Sequence, residues 1–495
     1  MSFALFARRR LGDATKFIRL ASVAAALCAA NEAAASSAAL IDADNRQLRQ
    51  DIQWLIDRGI IEFSASTWPV SIDALEFAIA HKFPVELTRA DHEALRSVQR
   101  LLQLEREAFG VELGTVSRAH PALADGEDAR SRGRLGVYAR GEMGNLAGRL
   151  QANGMADPSG AAHSNTNLEG SYVSGAFLGQ IVYAGQLARW WGPGQDQSLI
   201  WSDSAEAIAT VGLRRGRETA PDSPWLSWIG PWGYDLSVGT LRHYRSNPGT
   251  RILGMRLYAR PMRGLEIGAS RFIQWGGGDG GGLASLGDAL VGRANSPDRP
   301  ANNEIAGFDL RYGMAFGDSA MAFYGQAVGE DEAGSWPAKY IGLLGAEYRH
   351  GWNSARLHWY VEAADTKVNR AFRAGARGEP HVAYEHSFFR DGLRHDGLPI
   401  GARIDGDARM YSAGLNVAAG GALDFRYGFR VFHVAADAGA GWRGARVHAP
   451  GSFQGGRMAI SWRYGKTDLG VAMSALGGRG RPYDVGAGLF VKTRF

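Results

Sequence analysis

Beyond its first 35 residues the chain has no cysteine, because the one thiol in 495 residues is Cys28. If that stretch is removed, no disulfide can brace what remains. The sequence also lacks any apolar run of 18 or more residues downstream of the amino terminus, which excludes a membrane-spanning helix there. A bilayer location would have to rest on strands. No spacing of histidines and carboxylates matches a zinc signature. The glycines of 276–282 lack the Gly-Lys-Ser/Thr ending of a phosphate loop, so no cofactor is expected. Net charge is low as well. The leader holds Arg8, Arg9, Arg10, Lys16 and Arg19 against Asp13 and Glu32, so its loss takes the formal charge from +5 to +2. That balance gives no case for nucleic acid, and attraction to acidic ligands must come from local arginines.

The leader itself reads as a cleaved secretory signal. Its cationic start is followed by the apolar run Leu20 to Ala30 and the small-residue site Ala33-Ala34-Ala35. Ala25 stands where a lipoprotein signal would need leucine three residues before Cys28, so cleavage after Ala35 is the expectation. The other end carries a matching address. Val485, Ala487, Leu489, Val491, Thr493 and Phe495 fall on one face of an alternating strand, and Asp484, Gly486, Gly488, Lys492 and Arg494 on the other, with Phe490 breaking the pattern. A closing strand with a terminal aromatic resembles the signal read by the outer-membrane barrel-assembly machinery.

Alternation recurs along most of the chain. Leu423, Phe425, Tyr427, Phe429 and Val431 alternate with Asp424, Arg426, Gly428 and Arg430; Ala355, Leu357, Trp359 and Val361 alternate with Arg356, His358, Tyr360 and Glu362. Leu253 to Arg260, Phe308 to Gly313 and Met458 to Tyr464 repeat the pattern. A sandwich could bury one face of each strand, but it would leave many arginines and aromatics at roughly 20-residue spacing without a role. A closed barrel uses both faces, apolar towards lipid and polar towards the lumen. The fold expected is an all-β transmembrane barrel of about 16–18 antiparallel strands over 134–495. Before it, glycine is scarce between Asp42 and Ala108, and Leu95, Val98 and Leu102 follow helical spacing. Thr88 with Asp91 marks a helix start and Gly59 a stop. Pro69 and Pro84 fall at breaks. This predicts a small α-helical domain of three or four helices over 40–115, with 116–133 as the linker.

The block Arg189-Trp190-Trp191-Gly192-Pro193-Gly194-Gln195-Asp196-Gln197-Ser198-Leu199-Ile200 resembles the capsule-assembly Wzi family of outer-membrane proteins. Further matches keep their order: Pro224 to Trp232, Gly254-Met255-Arg256, Gly264 to Gly268, Ser270-Arg271 to Gly277, Tyr384 to Gly392, Pro399-Ile400-Gly401 and Asp405-Gly406-Asp407. Asp51 to Leu55 and Ser66 to Pro69 resemble the family's amino-terminal helical part. The resemblance implies an outer-membrane barrel lectin that holds capsular or extracellular polysaccharide at the cell surface, without catalysis. One departure is Ala205-Glu206-Ala207 where the family pattern carries Ala-Arg-Pro.

Residue chemistry can be weighed beside the resemblance. Trp190, Trp191 and Trp201 near Arg189, Gln195 and Asp196 combine flat apolar faces with fixed polar groups suited to a sugar, and Arg271 joins this candidate polysaccharide-binding set. Arginine forks suit uronate carboxylates. Against this, tryptophans of barrels also form interface girdles or pack structurally, a reading favoured over binding here and more strongly still for Trp225, Trp228 and Trp232. His386, Asp391, His395 and Asp396 invite a catalytic reading, but Asp-Gly pairs are ordinary turn chemistry. A porin-like channel would share the barrel but has no evident use for a helical domain, and a barrel hydrolase would need a nucleophile and base that no motif identifies. The carboxyl-terminal address yields a test. Deleting Phe495 should lower the yield of heat-modifiable protein in the outer-membrane fraction; an unchanged yield would remove the terminal-signal argument.

Overall fold

The structure is a computed structural model. It describes residues 37–118, 130–158, 165–278, 302–333, 336–370, 381–420, 424–436, 451–478 and 483–495, with isolated positions at 282, 286, 287 and 290. The signal segment lies outside these residues. Among them, eighteen spanning antiparallel strands form one closed barrel, with the two-residue strand Thr166–Asn167 beside Leu146–Pro158. The seam joins the last strand, Asp484–Arg494, to the first, Phe109–Val116, with Gly488 opposite Val116 and Arg494 opposite Gly110. Closure removes the free edges that an open sheet of this size would expose.

Two of the expected boundaries are corrected. The barrel starts at Phe109, inside the stretch assigned to the helical domain, and the segment assigned as a linker connects the first two barrel strands, Phe109–Val116 and Ser131–Met143. Phe109, Val111 and Leu113 are exposed on the outer face. The strand is short and follows a helix directly, so its alternation spans only four pairs.

Elsewhere the two-faced pattern sorts as expected. Phe425, Phe429 and Val431 are exposed on the outer wall while Asp424, Arg426 and Arg430 are buried towards the lumen. On the closing strand Val485, Leu489 and Phe495 face out, and Arg494 turns inwards to Asp468, 2.7 Å away. Phe490 also faces in. Its ring lies where a side chain on Gly470 would project, which explains both the break in alternation and the glycine opposite.

Three helices precede the barrel: α1 (Arg46–Asp57), α2 (Ile72–Ala80) and α3 (Arg89–Leu104). Leu48, Ile52 and Leu55 fall on one face of α1, and Ala94, Val98, Leu101 and Leu102 on one face of α3, so the two pack together. Thr88 and Asp91 form the capping box that starts α3, a device worth about 1 kcal/mol. Asp91 also accepts from Trp54 Nε1 at 2.8 Å and from Arg58, tying α1 to α3. After Arg58 the chain leaves α1 through Gly59, whose φ of 64° favours glycine.

This helical unit sits inside the barrel at one end. Arg58 reaches the carbonyl of Ser319 at 3.1 Å, and Arg263 reaches the carbonyl of Gly59, so the end of α1 meets the short turns at 263–264 and 317–318. The polar face of α1 provides counter-ions for the wall. Asp51 accepts from Arg356 at 2.7 Å and Arg426 at 2.6 Å, and Asp57 from Arg311 at 2.5 Å and Arg349 at 2.8 Å. All six groups are buried or nearly so. Removing one partner of a buried pair leaves an uncompensated charge, which costs about 3–5 kcal/mol. Asp57→Ala should therefore lower the urea midpoint of the purified protein strongly. Breaking the pair of Glu93 and Arg96 on α3 by Arg96→Ala should change stability by less than about 0.5 kcal/mol and leave the midpoint nearly in place. Equal midpoints for the two variants would refute the bracing role of Asp57.

Candidate functional site

The block from Arg189 to Trp201 lies on the long excursion between strands Gln180–Gly185 and Thr210–Arg215. It folds into the lumen. Trp190 and Trp191 form a two-residue antiparallel strand with Trp68 and Thr67, and the Gly192 amide donates to the Ser66 carbonyl at 2.9 Å. The block thus joins the helical unit edge to edge. Gly192 has a φ of 141°, and a Cβ there would meet the Gln326 amide at 2.8 Å, so both backbone shape and space require glycine.

Next, the backbone turns around a carboxylate from the wall. The amides of Gln195, Asp196 and Gln197 donate to Glu362 at 2.6, 3.2 and 2.9 Å. Three successive N–H groups on one carboxylate make an anion nest, here filled by the protein itself. Gln326 adds a second bolt, accepting from the Leu199 amide at 2.8 Å and donating to the Trp191 carbonyl at 3.0 Å. Gln195 spans from Gln53 on α1 to Glu347 on the wall.

The side chains proposed for sugar contact are consumed by this packing. Arg189 is 1% exposed, lies 4.7 Å over the Trp201 ring and donates to Tyr183 at 2.7 Å and Asp235 at 3.1 Å. Trp190 is covered by the Arg49 guanidinium at 4.4 Å. Trp191 meets Trp201 edge-on at 4.9 Å, and Trp201 meets Phe272. Asp196 binds Arg430 at 2.6 Å and Tyr360 at 3.2 Å. Burial corrects the expectation of direct contact for Arg189, Trp190, Trp191, Asp196 and Trp201. Gln195 is partly buried with both amide contacts used, and only Arg271, paired with Glu304, keeps an accessible guanidinium, 27% exposed.

What the block does is carry a surface segment. Residues 381–407 rest on it: Tyr384 donates to the Leu199 carbonyl at 2.8 Å, the Ser202 amide to the Ile400 carbonyl at 2.8 Å, and the Arg403 amide to Gln197 at 2.8 Å. Burial alone would raise the Asp203 carboxyl, but Arg403 and Arg46 hold it well below the usual carboxylate range. Two stretches of sequence about 200 residues apart, both carrying the family resemblance, are thus parts of one packed unit.

The histidines and aspartates of that segment hold it to a neighbouring loop. Asp391 accepts from the Ser246 amide at 2.7 Å, and Asp396 from Arg242 at 3.0 Å and from His243 Nδ1 at 2.5 Å. Burial pushes the His395 imidazole down to about 4, so it is neutral near pH 7 and accepts from the Arg242 amide. Arg394 and Asp405 form a bidentate pair. His243, Arg245, His381 and Arg390 are exposed on this end of the molecule. Sequence reasoning did not single out Glu362, Gln326 or Asp235. Their only signal was a lumen-facing position in an alternating strand.

Comparison with known proteins decides the family. The profile described as Capsule assembly protein Wzi matches residues 124–439. The chain belongs to the capsule assembly Wzi family. A Klebsiella pneumoniae protein known as an uncharacterized 55.8 kDa protein in the cps region is 34% identical over 345 residues, covering 68% of this chain and 67% of that protein. The solved structure of Wzi from Escherichia coli matches with a TM-score of 0.80 at 27% identity, over 92% of this chain and 99% of that one. That protein is described as an outer membrane protein involved in group 1 capsule assembly and a carbohydrate binding β-barrel. This Wzi-family chain is likewise an outer-membrane protein, its apolar barrel exterior turned to lipid.

Gly194 tests the supporting role of the block. A Cβ on it would overlap the Gln197 carbonyl at 2.1 Å, whereas a Cβ on Gly342 meets nothing within 4 Å. Gly194→Ala should cost about 1–3 kcal/mol and open residues 381–407 to protease, and Gly342→Ala should not. Identical digestion patterns would show that the loop stands without the block.

Proposed function

We propose that this protein is a non-enzymatic lectin that retains capsular or extracellular polysaccharide at the cell surface. Membership of the Wzi family carries the reading, and the rigid mount under residues 381–407 supports it. Polymer contact is assigned to the surface that the block presents, with Arg245 and Arg390 as its cationic edge and Arg271 as a flanking contact. A pre-ordered surface loses little conformational freedom when a flexible polymer binds. The helical unit, at the end with short turns, faces the periplasm, and the long connections face outwards. Phe495 is offered to the assembly machinery.

The measurement is polysaccharide on cells against polysaccharide in the medium. Arg245→Ala with Arg390→Ala should move polymer into the medium while total polymer and barrel level stay the same. Attraction between arginine and an acidic polymer is screened by salt, so retention by the intact protein should weaken as ionic strength rises. Normal retention in the double variant would overturn the assigned surface, and loss of total polymer would point to export instead.

A further inference from the structure

The helical unit does not fill the lumen evenly. A narrow cavity of about 80 Å³ remains between α1 and the wall, lined by Arg46, Arg49, Gln195, Asn416, Arg430 and Arg457. It adjoins a wider crevice of about 380 Å³ that shares Arg46 and Arg457 and continues past Arg463 and Lys492 to Arg494 at the end with short turns, its lining mixing these cations with carboxylates such as Asp44, Glu112, Asp424 and Asp468. At about 30 Å³ per water, the crevice holds on the order of ten waters, room for one sugar ring but not for a folded chain.

Arg46, Arg49, Arg430 and Arg457 line the narrow cavity beside one carboxylate, Asp196. Asp196 is taken by Arg430, Asp203 by Arg46 and Arg403, Glu362 by the three backbone amides and Glu347 by Arg311 and Arg349. Arg49 is 4% exposed and makes no ion pair among the described residues. It stacks on Trp190, gives one nitrogen to the Gly194 carbonyl, and its Nε has no partner among the described residues. Burial and the neighbouring Arg46 lower its guanidinium to about 10, the behaviour of a cation short of negative charge. Buried cations are paired in stable interiors. Here the paired partner is missing and an open cavity stands in its place.

We propose that this cavity is an anion site that takes the carboxylate of a single acidic sugar, with the sugar ring lying in the wider crevice. Arg49 supplies the charge that meets the carboxylate, Arg457 adds positive potential from the wall, and the Trp190 ring holds the Arg49 fork flat. The ligand enters from the end that bears the short turns. This site is separate from the polymer-retaining surface: it lies inside the lumen, and its residues differ.

The test is calorimetric titration of the full-length protein in detergent with glucuronate, glucose and inorganic sulfate. Glucuronate should bind, glucose should not, and added salt should weaken the binding. Arg49→Gln and Arg457→Gln should each weaken glucuronate by about tenfold or more, the loss expected for a charged hydrogen bond. Arg118→Gln, which alters an exposed ion pair with Asp484, should leave it unchanged. Arg457 is only half-buried, so its variant keeps the test alive if Arg49→Gln fails to fold. Equal heats for glucose and glucuronate, binding of sulfate alone, or unaltered affinity in Arg457→Gln would overturn the site. Arg457→Gln should also leave polysaccharide retention on cells intact, which separates failure here from failure of the lectin reading.

Discussion

The structure depends on buried carboxylates meeting arginines across the lumen. A barrel this wide, with polar inner faces, has to satisfy charges that no longer see bulk water, and desolvated ions cost several kcal/mol each unless they are paired. Asp51 and Asp57 on α1 provide that pairing for Arg356, Arg426, Arg311 and Arg349. The wall therefore needs the helix as much as the helix needs the wall. Trp54 and Trp68, which a domain of three short helices could cover only in part, are fully enclosed by this arrangement.

The same logic explains why the most recognisable stretch of the sequence is internal. The Arg189 to Trp201 block connects helix, wall and surface segment through backbone hydrogen bonds, an anion nest and stacked guanidinium groups. Each link demands a specific residue: glycine at 192 and 194 for space, Glu362 to fill the nest, Arg189 to bridge Asp235 and Trp201. Substitution at any of them disturbs several contacts at once.

Much of this was legible in the sequence because it is local. Period-2 alternation separated lipid-facing Phe425 and Val431 from lumen-facing Arg426 and Arg430, and the Thr88–Asp91 pair marked the start of α3. The strand Phe109–Val116 was missed because eight residues adjoining a helix give too short a pattern to outweigh the helical context. The two readings of the block, sugar contact and internal packing, could not be separated in the sequence for a different reason. Arginine beside tryptophan is favourable on a sugar and equally favourable as a cation over a ring in a core, at 0.5 to about 2 kcal/mol, and composition does not tell which side of the wall a loop turns to. The partners that decide it, Asp235 and Glu362, lie 46 and 167 residues away.

The pairing of α1 with the wall bears on gating. If the helices swung out of the lumen, Arg311, Arg349, Arg356 and Arg426 would lose Asp51 and Asp57, with Glu347 left to Arg311 and Arg349 and Asp424 left to Arg426, so withdrawal would break the buried pairs that α1 makes. The helical unit is tied into the barrel interior, and using it as a door would mean breaking the pairs of Asp51 and Asp57 each time it opened.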